Sequence, residues 1–436
     1  MRNKRRGIST GTIFMLTLTA LVLIGFAALL PRLTGSTSIS TNAIELAVKI
    51  DESFSQLLSA QSSKPVNKPS NTAFAPLTTA VPTSTPSPTT QPVKRFSLCA
   101  SGVIQLDNGS LSSMTDKETG YHFEWLLGQL GNSLQADLTI TTLKNLVIPT
   151  DKLSATNMPV ELLAAMKTAG IDAVSVGHHA ALNAGVNGLA ATKTSIRNAG
   201  ILPYGLYASQ EERNAPVLYN ANGVSVALLS YQNEISSTGS KKTSKEEQAF
   251  AYAPIEISII QQDIAKARSC GAEVVIVSLC WGRTSATAAT NDQRAQAQQI
   301  ADAGADVILG TNPQAVFPVE ILTAQRGDGK YHPVLCAYSM GNLFTFDRES
   351  RVNLAGLLLH ADVQYDPATG TVAFDNLVYD PTYCWRGKVD GVTRTGVLSA
   401  VADNAPAFVD ENQLGVMGRC YNLISEVMKD GVLKER

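Results

Sequence analysis

Charged residues are scarce in this sequence, and neither sign is in clear excess. They make up 17% of the 436 residues and give a formal net charge of -2, whereas soluble domains usually contain about 25%. A nucleic-acid surface needs a basic stripe or excess, so that class of partner is excluded.

The six cysteines include no CxxC pair, which removes the usual spacing of a zinc or redox motif. Their apolar surroundings favour small buried thiols, although an extracytoplasmic location would permit disulfides.

Ionisable side chains are missing altogether from residues 7–31. Because roughly 20 apolar residues cross a bilayer, this stretch predicts a transmembrane helix. A secretory signal has a shorter apolar core of about 7–15 residues, so an uncleaved anchor is favoured, with a cleaved signal as the alternative. The basic residues Arg2, Lys4, Arg5 and Arg6 precede the span. They predict a single-pass membrane protein with a cytoplasmic N-terminus and an extracytoplasmic C-terminal domain.

The chain divides into four predicted regions. Residues 1–33 form the basic tip and the anchor, and residues 34–93 form a stalk with a short amphipathic helix and a linker rich in Pro, Ser and Thr. Such a composition without apolar periodicity is typical of an extended tether. Residues 94–385 form the globular domain, and residues 386–436 form a C-terminal extension.

Short apolar strands alternate with helices through the globular domain. The clearest strand candidates are FSLCASGVIQL, ADLTITTL, IDAVSVG, VSVALLSY, AEVVIVSLCW, ADVILG and VLCAYSMG. Helix candidates between them, such as VELLAAMKTAG and DQRAQAQQIADAG, end in glycine. This alternation predicts an α/β fold. Because so many strands are apolar on both faces, two sheets are needed, which predicts a four-layer α/β/β/α sandwich.

Four loops that follow predicted strands contain the residues on which a functional interpretation depends. They are GHHAALNAG (177–185), SLCWGRT (278–284), GTNPQAVFPVE (310–320) and YSMGNLFTFD (338–347). Together with QIADAGADVILG, their order and spacing resemble the capsule-synthesis CapA family, within the calcineurin-like metallophosphatase superfamily. The resemblance extends from about Phe96 to about Tyr383. It implies a metallophosphatase-like fold and a link to capsule or poly-γ-glutamate synthesis.

Members of that family usually place Asp, Asn, Glu and His residues at these loops, which suits two divalent ions that activate water. This sequence departs from the pattern at nearly every position. Gly102 stands where the family has Asp, and Thr142, Leu143 and Lys144 stand where the family has Asn-Leu-Glu. Cys280 replaces a histidine before Trp281, and the histidines of the last metal loop are replaced by Thr311, Asn312 and Gln314.

Two alignments are open for His178 and His179. Without a gap, His179 falls on an asparagine position of the family and Ala180 on its histidine position. A shift of one residue makes His179 the catalytic histidine, but this requires an insertion before Gly185. The other interpretation of the pair is a polar loop that caps backbone groups.

The sequence therefore predicts a membrane-anchored CapA-like protein without metallohydrolase activity or cofactor, a pseudoenzyme. We expect it to bind an anionic cell-surface polymer or other capsule-synthesis proteins. Lys144 either repels divalent ions at the old metal site or is an ordinary solvated lysine. The alternative function is an active hydrolase of an anionic polymer or phosphoester, with Mn or Zn at an atypical site built from His178, His179, Asp107 or Asp172. A purely structural envelope protein is the third possibility.

The predicted orientation has a direct test. Protease added to intact cells should cut the Pro/Ser/Thr-rich linker near ThrSerThrProSer (83–87) and release a soluble fragment, because that linker should lie outside the membrane. Immunoblotting of the medium would detect the fragment. A chain that survives on intact cells and is digested only after lysis would show the opposite orientation.

Overall fold

The computed structural model describes residues 91–116, 118, 120–150, 156–348 and 350–436. The predicted anchor and the stalk as far as residue 90 lie outside this part of the chain. Among the described residues, no helix has the length and apolarity needed to cross a membrane.

The described part of the chain contains both strands and helices. The strands are β1 (Lys94–Gln105), β2 (Thr115–Asp116), β3 (Gly120–Tyr121), β4 (Leu138–Leu143), β5 (Ala173–Ser175), β6 (Leu202–Tyr204), β7 (Val217–Ala221), β8 (Val224–Gln232), β9 (Val274–Cys280), β10 (Val307–Thr311), β11 (Val319–Gln325), β12 (Tyr331–Ala337), β13 (Asn342–Thr345), β14 (Ala355–Asp366), β15 (Thr371–Val389), β16 (Val392–Ser399) and β17 (Lys434–Glu435). The helices are α1 (Asn108–Ser113), α2 (Glu124–Leu127), α3 (Glu161–Thr168), α4 (Gly185–Asn198), α5 (Gln210–Asn214), α6 (Ser237–Lys242), α7 (Lys245–Ala251), α8 (Ile257–Ser269), α9 (Asn291–Asp302) and α10 (Glu411–Met428).

Two mixed sheets organise these elements. The first has the order β16-β15-β14-β1-β4-β5-β6, with β13 also paired to β1 and β17 to β15, and the second has the order β11-β12-β10-β9-β8-β7. Strands β1, β4, β5 and β6 are parallel, as are β8, β9, β10 and β12. Parallel strands end at the same edge of a sheet, so their following loops gather there.

Alternate residues of each central strand face different layers. Leu98 and Ala100 of β1 belong to an apolar cluster that also contains Val226 and Ile276 of the second sheet. Cys99, on the opposite face of β1, belongs to a cluster with helices α3 and α4. In the second sheet, the other residues of β8 and β9 pack with α8 and α9. Each sheet is therefore buried on both faces, once against the other sheet and once against helices.

The mixed α/β fold predicted from the sequence is confirmed. Each of the seven apolar segments singled out as strands lies at a strand of the structure, and the two glycine-ended helix candidates correspond to α3 and α9. The segment 386–436 contributes β16 to the first sheet, and Cys420 of its helix α10 lies in the cluster between the sheets. All six cysteines are free, and all except Cys270 are buried.

Asp306 explains why the AlaAspAlaGlyAlaAsp segment is structurally important. Its side chain is 1% exposed and accepts a hydrogen bond from the backbone N–H of Val275 at 2.8 Å. Arg268 and Arg326 pair with it at 2.6 Å and 2.9 Å. A buried carboxylate is tolerated when it is paired and hydrogen-bonded. Asp306 thus connects α8, β9 and the end of β11 at the amino end of β10.

Gly102 lies where the chain has no room for a side chain. A Cβ built at Gly102 would lie well under 3.0 Å from the carbonyl oxygen of Gly341. Gly341 has a φ of +65°, a conformation that favours glycine. The close approach of these two backbones means that an aspartate at position 102 would require the strand end to shift.

Replacing Gly102 by alanine should therefore destabilise the protein. We expect Gly102→Ala to lower the free energy of unfolding by about 1–3 kcal/mol, because the added methyl group overlaps backbone atoms. Gly128→Ala is the matched control, since a Cβ built there meets no atom within 4 Å. Urea denaturation followed by circular dichroism measures both. Equal midpoints for the two variants would contradict the close contact at Gly102.

Candidate functional site

Loops from both sheets meet at the carboxyl ends of the parallel strands. Lys144 directly follows β4, and His178 and His179 follow β5 by a short turn. Cys280 is the last residue of β9, and Asn312 follows β10. Two sheets that pack face to face bring these five positions to one end of the domain, as the rule for sites in α/β folds predicts.

A small cavity of about 200 Å³ opens at this end of the domain. Its lining residues are His179, Gln232, Asn233, Glu234, Cys280, Gly282 and Asn312. Asn312 adopts a positive φ of 94°, and its amide donates a hydrogen bond to the carbonyl of Gly282 at 2.8 Å. That hydrogen bond holds the β9 and β10 loops together at the cavity wall.

Lys144 supplies the positive charge beside the cavity. Its ammonium donates a hydrogen bond to Oδ1 of Asn312 at 3.3 Å. No carboxylate forms an ion pair with it within the described residues. Burial lowers the pKa of Lys144, and the nearby Cys280 opposes this shift. The hydrogen bond to Asn312 and the partial burial of Lys144 favour its first interpretation over that of an ordinary solvated lysine.

The two histidines differ in burial. His178 is 2% exposed, and its Nδ1 has no hydrogen-bond partner among the residues that the structure describes. Burial, with the charge of Lys144 and then His179, holds the pKa of His178 well below its usual value. His179 is half-buried, and its pKa is lowered by burial and Lys144, while Glu234 raises it. Both rings are therefore neutral at pH 7.

Cys280 is a buried thiol. Burial raises its pKa, and the positive charge of Lys144 only partly opposes that shift. Because the thiolate is the nucleophilic form, the raised pKa disfavours reaction of Cys280 at neutral pH.

The structure brings together only some of the predicted site residues. Lys144, His179, Cys280 and Asn312 meet at the cavity, with His178 behind them. The remaining predicted positions do not line it: Gly102, Thr142, Ala180, Thr311 and Gln314. Thr311 is buried and donates to the carbonyl of Leu279 at 3.2 Å. Gln314 lines a separate groove of about 470 Å³ with Arg283 and Ser350.

The two carboxylates considered for an active enzyme have structural partners. Asp107 caps helix α1 by accepting from the backbone N–H of Ser110 at 2.8 Å. Asp172 precedes β5, at the opposite end of that strand from His178, and pairs with Lys167 at 3.0 Å. Neither residue lines the cavity, so the structure does not join them to the histidines.

Sequence reasoning missed Gln232, Asn233 and Glu234. They stand at the end of β8, directly after the predicted strand VSVALLSY. The same rule that selected the other loops after strands would have selected this one. Glu234 is the one carboxylate that lines the cavity.

The donor set does not fit a two-metal centre. Such a centre needs several carboxylate, amide or imidazole ligands around two divalent ions. The cavity presents one carboxylate, Glu234, with a thiol, one imidazole and amides, and Lys144 lies beside them. Within the part of the chain that the structure describes, no three His, Cys, Asp or Glu side chains are grouped to hold an ion.

Comparisons with known proteins point to one family. The sequence profile described as bacterial capsule synthesis protein PGA_cap matches residues 97–347. The chain is 24% identical over 189 residues to the PGA biosynthesis protein CapA of Bacillus subtilis (strain 168), covering 43% of this chain and 46% of that protein. It is 25% identical over 191 residues to the capsule biosynthesis protein CapA of Bacillus anthracis, covering 43% of each chain. The chain therefore spans less than half the length of these curated relatives.

Among solved structures, similarity is more distant. A structure described as a novel phosphatase from Mycoplasma pneumoniae matches with a TM-score of 0.39 and 13% identity, over 66% of this chain and 94% of that chain.

The burial of His178 predicts a measurable pH dependence. Its pKa is lower in the folded than in the unfolded chain, so the unfolded state binds more protons as pH falls below about 6.5. Stability should therefore decline between pH 7 and pH 5, with at most about 1.4 kcal/mol per pH unit from this residue. In His178→Gln the decline should be shallower.

Urea unfolding across this pH range measures the slope for each protein. Identical slopes for His178→Gln and wild type would show that His178 is not held neutral by burial.

Proposed function

This chain belongs to the bacterial capsule synthesis protein PGA_cap family, and from that premise we propose that it acts in the synthesis or handling of a capsular or poly-γ-glutamate polymer. The profile match over residues 97–347 supports this assignment. We further infer that the two sheets and their covering helices form the four-layer α/β/β/α sandwich of metallophosphatase-like proteins. The clusters between the sheets and beneath the helices support that architecture.

Within that process we propose a binding role and not metallohydrolase chemistry. The observation that supports it best is Lys144, whose ammonium lies 3.3 Å from Asn312 at the cavity. A cation at short range from a divalent ion costs several kcal/mol in a partly buried site. Gly102 strengthens the argument, because the backbone of Gly341 leaves no space for the aspartate that the family places there.

We place the domain outside the cell membrane, tethered by the predicted helix in residues 1–33. The support is the uncharged stretch at 7–31 behind four basic residues. This location would bring the cavity to the compartment in which a surface polymer is assembled.

The role in polymer handling can be tested in the bacterium that produces this protein. Deleting this chain should lower the amount of surface-bound glutamyl polymer, measured as glutamate released by acid hydrolysis of washed cells. Expression of the full chain from a second locus should restore it. Unchanged polymer in the deletion strain would contradict the proposal.

The absence of metallohydrolase chemistry is tested on the purified full chain. Elemental analysis should find well below one manganese, zinc or iron per chain, and a generic phosphodiester should not be hydrolysed, because a single carboxylate and neutral donors beside a cation do not offset the dehydration of two divalent ions. His179→Ala and Cys280→Ser should behave like wild type in both assays.

Cys270→Ser is the matched control, since Cys270 is an exposed thiol that does not line the cavity. Near-unit metal content that falls in His179→Ala and Cys280→Ser but not in Cys270→Ser would indicate an active metal-dependent hydrolase instead. Chelator-sensitive turnover would accompany that result.

A further inference from the structure

Gln232 is the least expected side chain of the cavity. It is 1% exposed, and within the described residues neither its Nε2 nor its Oε1 has a hydrogen-bond partner. Buried carboxamides are nearly always satisfied, so an orphan pair of donor and acceptor requires a reason. Gln232 lines the cavity, so a small movement of its buried carboxamide would present both atoms to a ligand held there.

Two opposite charges border the same cavity. Glu234 lines it directly, and Lys144 is bonded to the lining residue Asn312. Lys144 lowers and Glu234 raises the pKa values of His179 and Cys280. No ion pair joins Lys144 to Glu234 within the described residues. Neither charge has an ion-pair partner within the described residues, so each can pair with a charged group of a ligand.

We propose that this cavity binds an α-amino acid group, a single carbon that bears both a carboxylate and an ammonium. The ligand carboxylate pairs with Lys144 and accepts from Nε2 of Gln232, and the ligand ammonium pairs with Glu234 and donates to Oε1 of Gln232. Charge-assisted hydrogen bonds of this kind are the strong ones in proteins. The inference rests on the proposed function, and it names the chemical group that the protein recognises.

The charge of the cavity disfavours dianions, and its size excludes large ligands. A phosphate dianion would face Glu234 as well as Lys144, and like charges at short range repel. The volume of about 200 Å³ is below the roughly 300–1,000 Å³ of pockets for drug-sized ligands. One amino acid residue is therefore the appropriate size, and a polymer would enter with one end only.

Two sources present this chemistry. In a γ-linked glutamyl chain the amino-terminal residue keeps its α-carboxylate and its α-ammonium on one carbon, whereas an α-linked peptide uses that carboxyl group in an amide bond. Free glutamate presents the same pair of groups. A γ-linked chain end and a free amino acid are therefore equivalent for the contacts to Lys144, Gln232 and Glu234.

The test uses calorimetric titration of the purified full chain with four small ligands. They are glutamate, γ-glutamylglutamate, N-acetylglutamate, which lacks the ammonium, and isoglutamine, which lacks the α-carboxylate. Wild type should bind the first two at least about tenfold more tightly than the last two, because each of the latter leaves one charge unpaired. Glutamate bound without the dipeptide would identify the free amino acid as the source, and tighter binding of the dipeptide than of glutamate would identify the chain end.

Paired substitutions separate recognition from folding. Glu234→Gln, at an exposed residue, should abolish the preference over N-acetylglutamate and retain the preference over isoglutamine. Lys144→Met should abolish the preference over isoglutamine and retain the preference over N-acetylglutamate. The exposed residues Glu118 and Lys330 lie outside the cavity lining, so Glu118→Gln and Lys330→Met should retain both preferences.

Three results would overturn the inference: equal affinity for all four ligands, no binding of any of them, or displacement of glutamate by inorganic phosphate at similar concentration. If any of these occurs while deletion of the chain still lowers surface polymer, the proposed function stands and only the recognition of the α-amino acid group fails. If deletion has no effect on polymer while the zwitterion preference holds, the proposed function fails instead.

Discussion

Burial of both sheets on both faces is the constraint on which this domain depends. The strands of the two sheets are covered by each other on one side and by helices on the other, so a polar group within a strand must find a partner in the protein. Ser175 and Ser230 illustrate this, since their hydroxyls bond each other at 2.9 Å between the sheets. Unpaired polar groups can face a ligand only where the strands end.

The same constraint explains why the chemistry of the site can change while its architecture stays intact. Gly341 and Asp306 fix backbone positions and are independent of what the loops hold. Lys144 and Asn312 lie beyond the last residues of β4 and β10. Exchanging a ligand at those positions alters the charge of the cavity and leaves the apolar layers untouched.

The sequence predicted those features that depend on local pattern. Alternation and apolar runs located the central strands such as β9, whose seven residues are all buried, and the loops after them contained Lys144, His179, Cys280 and Asn312. Which loop residues point into a shared cavity depends on long-range packing, and so Gln314 was included although it lines another groove. Glu234 was missed because it belongs to a loop with no family motif. The partners of Asp107 and Asp172 likewise become visible only when the strand and helix ends are placed.

The charge balance around the cavity favours the proposed binding role. A metal centre needs an anionic surround, and hydrolysis without a metal needs a base whose protonation changes during turnover. Here the imidazoles are neutral, the Cys280 thiol is kept protonated by burial, and the charged groups are Lys144 and Glu234. Fixed, opposite charges can bind a zwitterionic group in its ground state, and binding of that kind increases affinity without by itself raising a rate. This arrangement supports the proposal that the cavity holds a charged group in place.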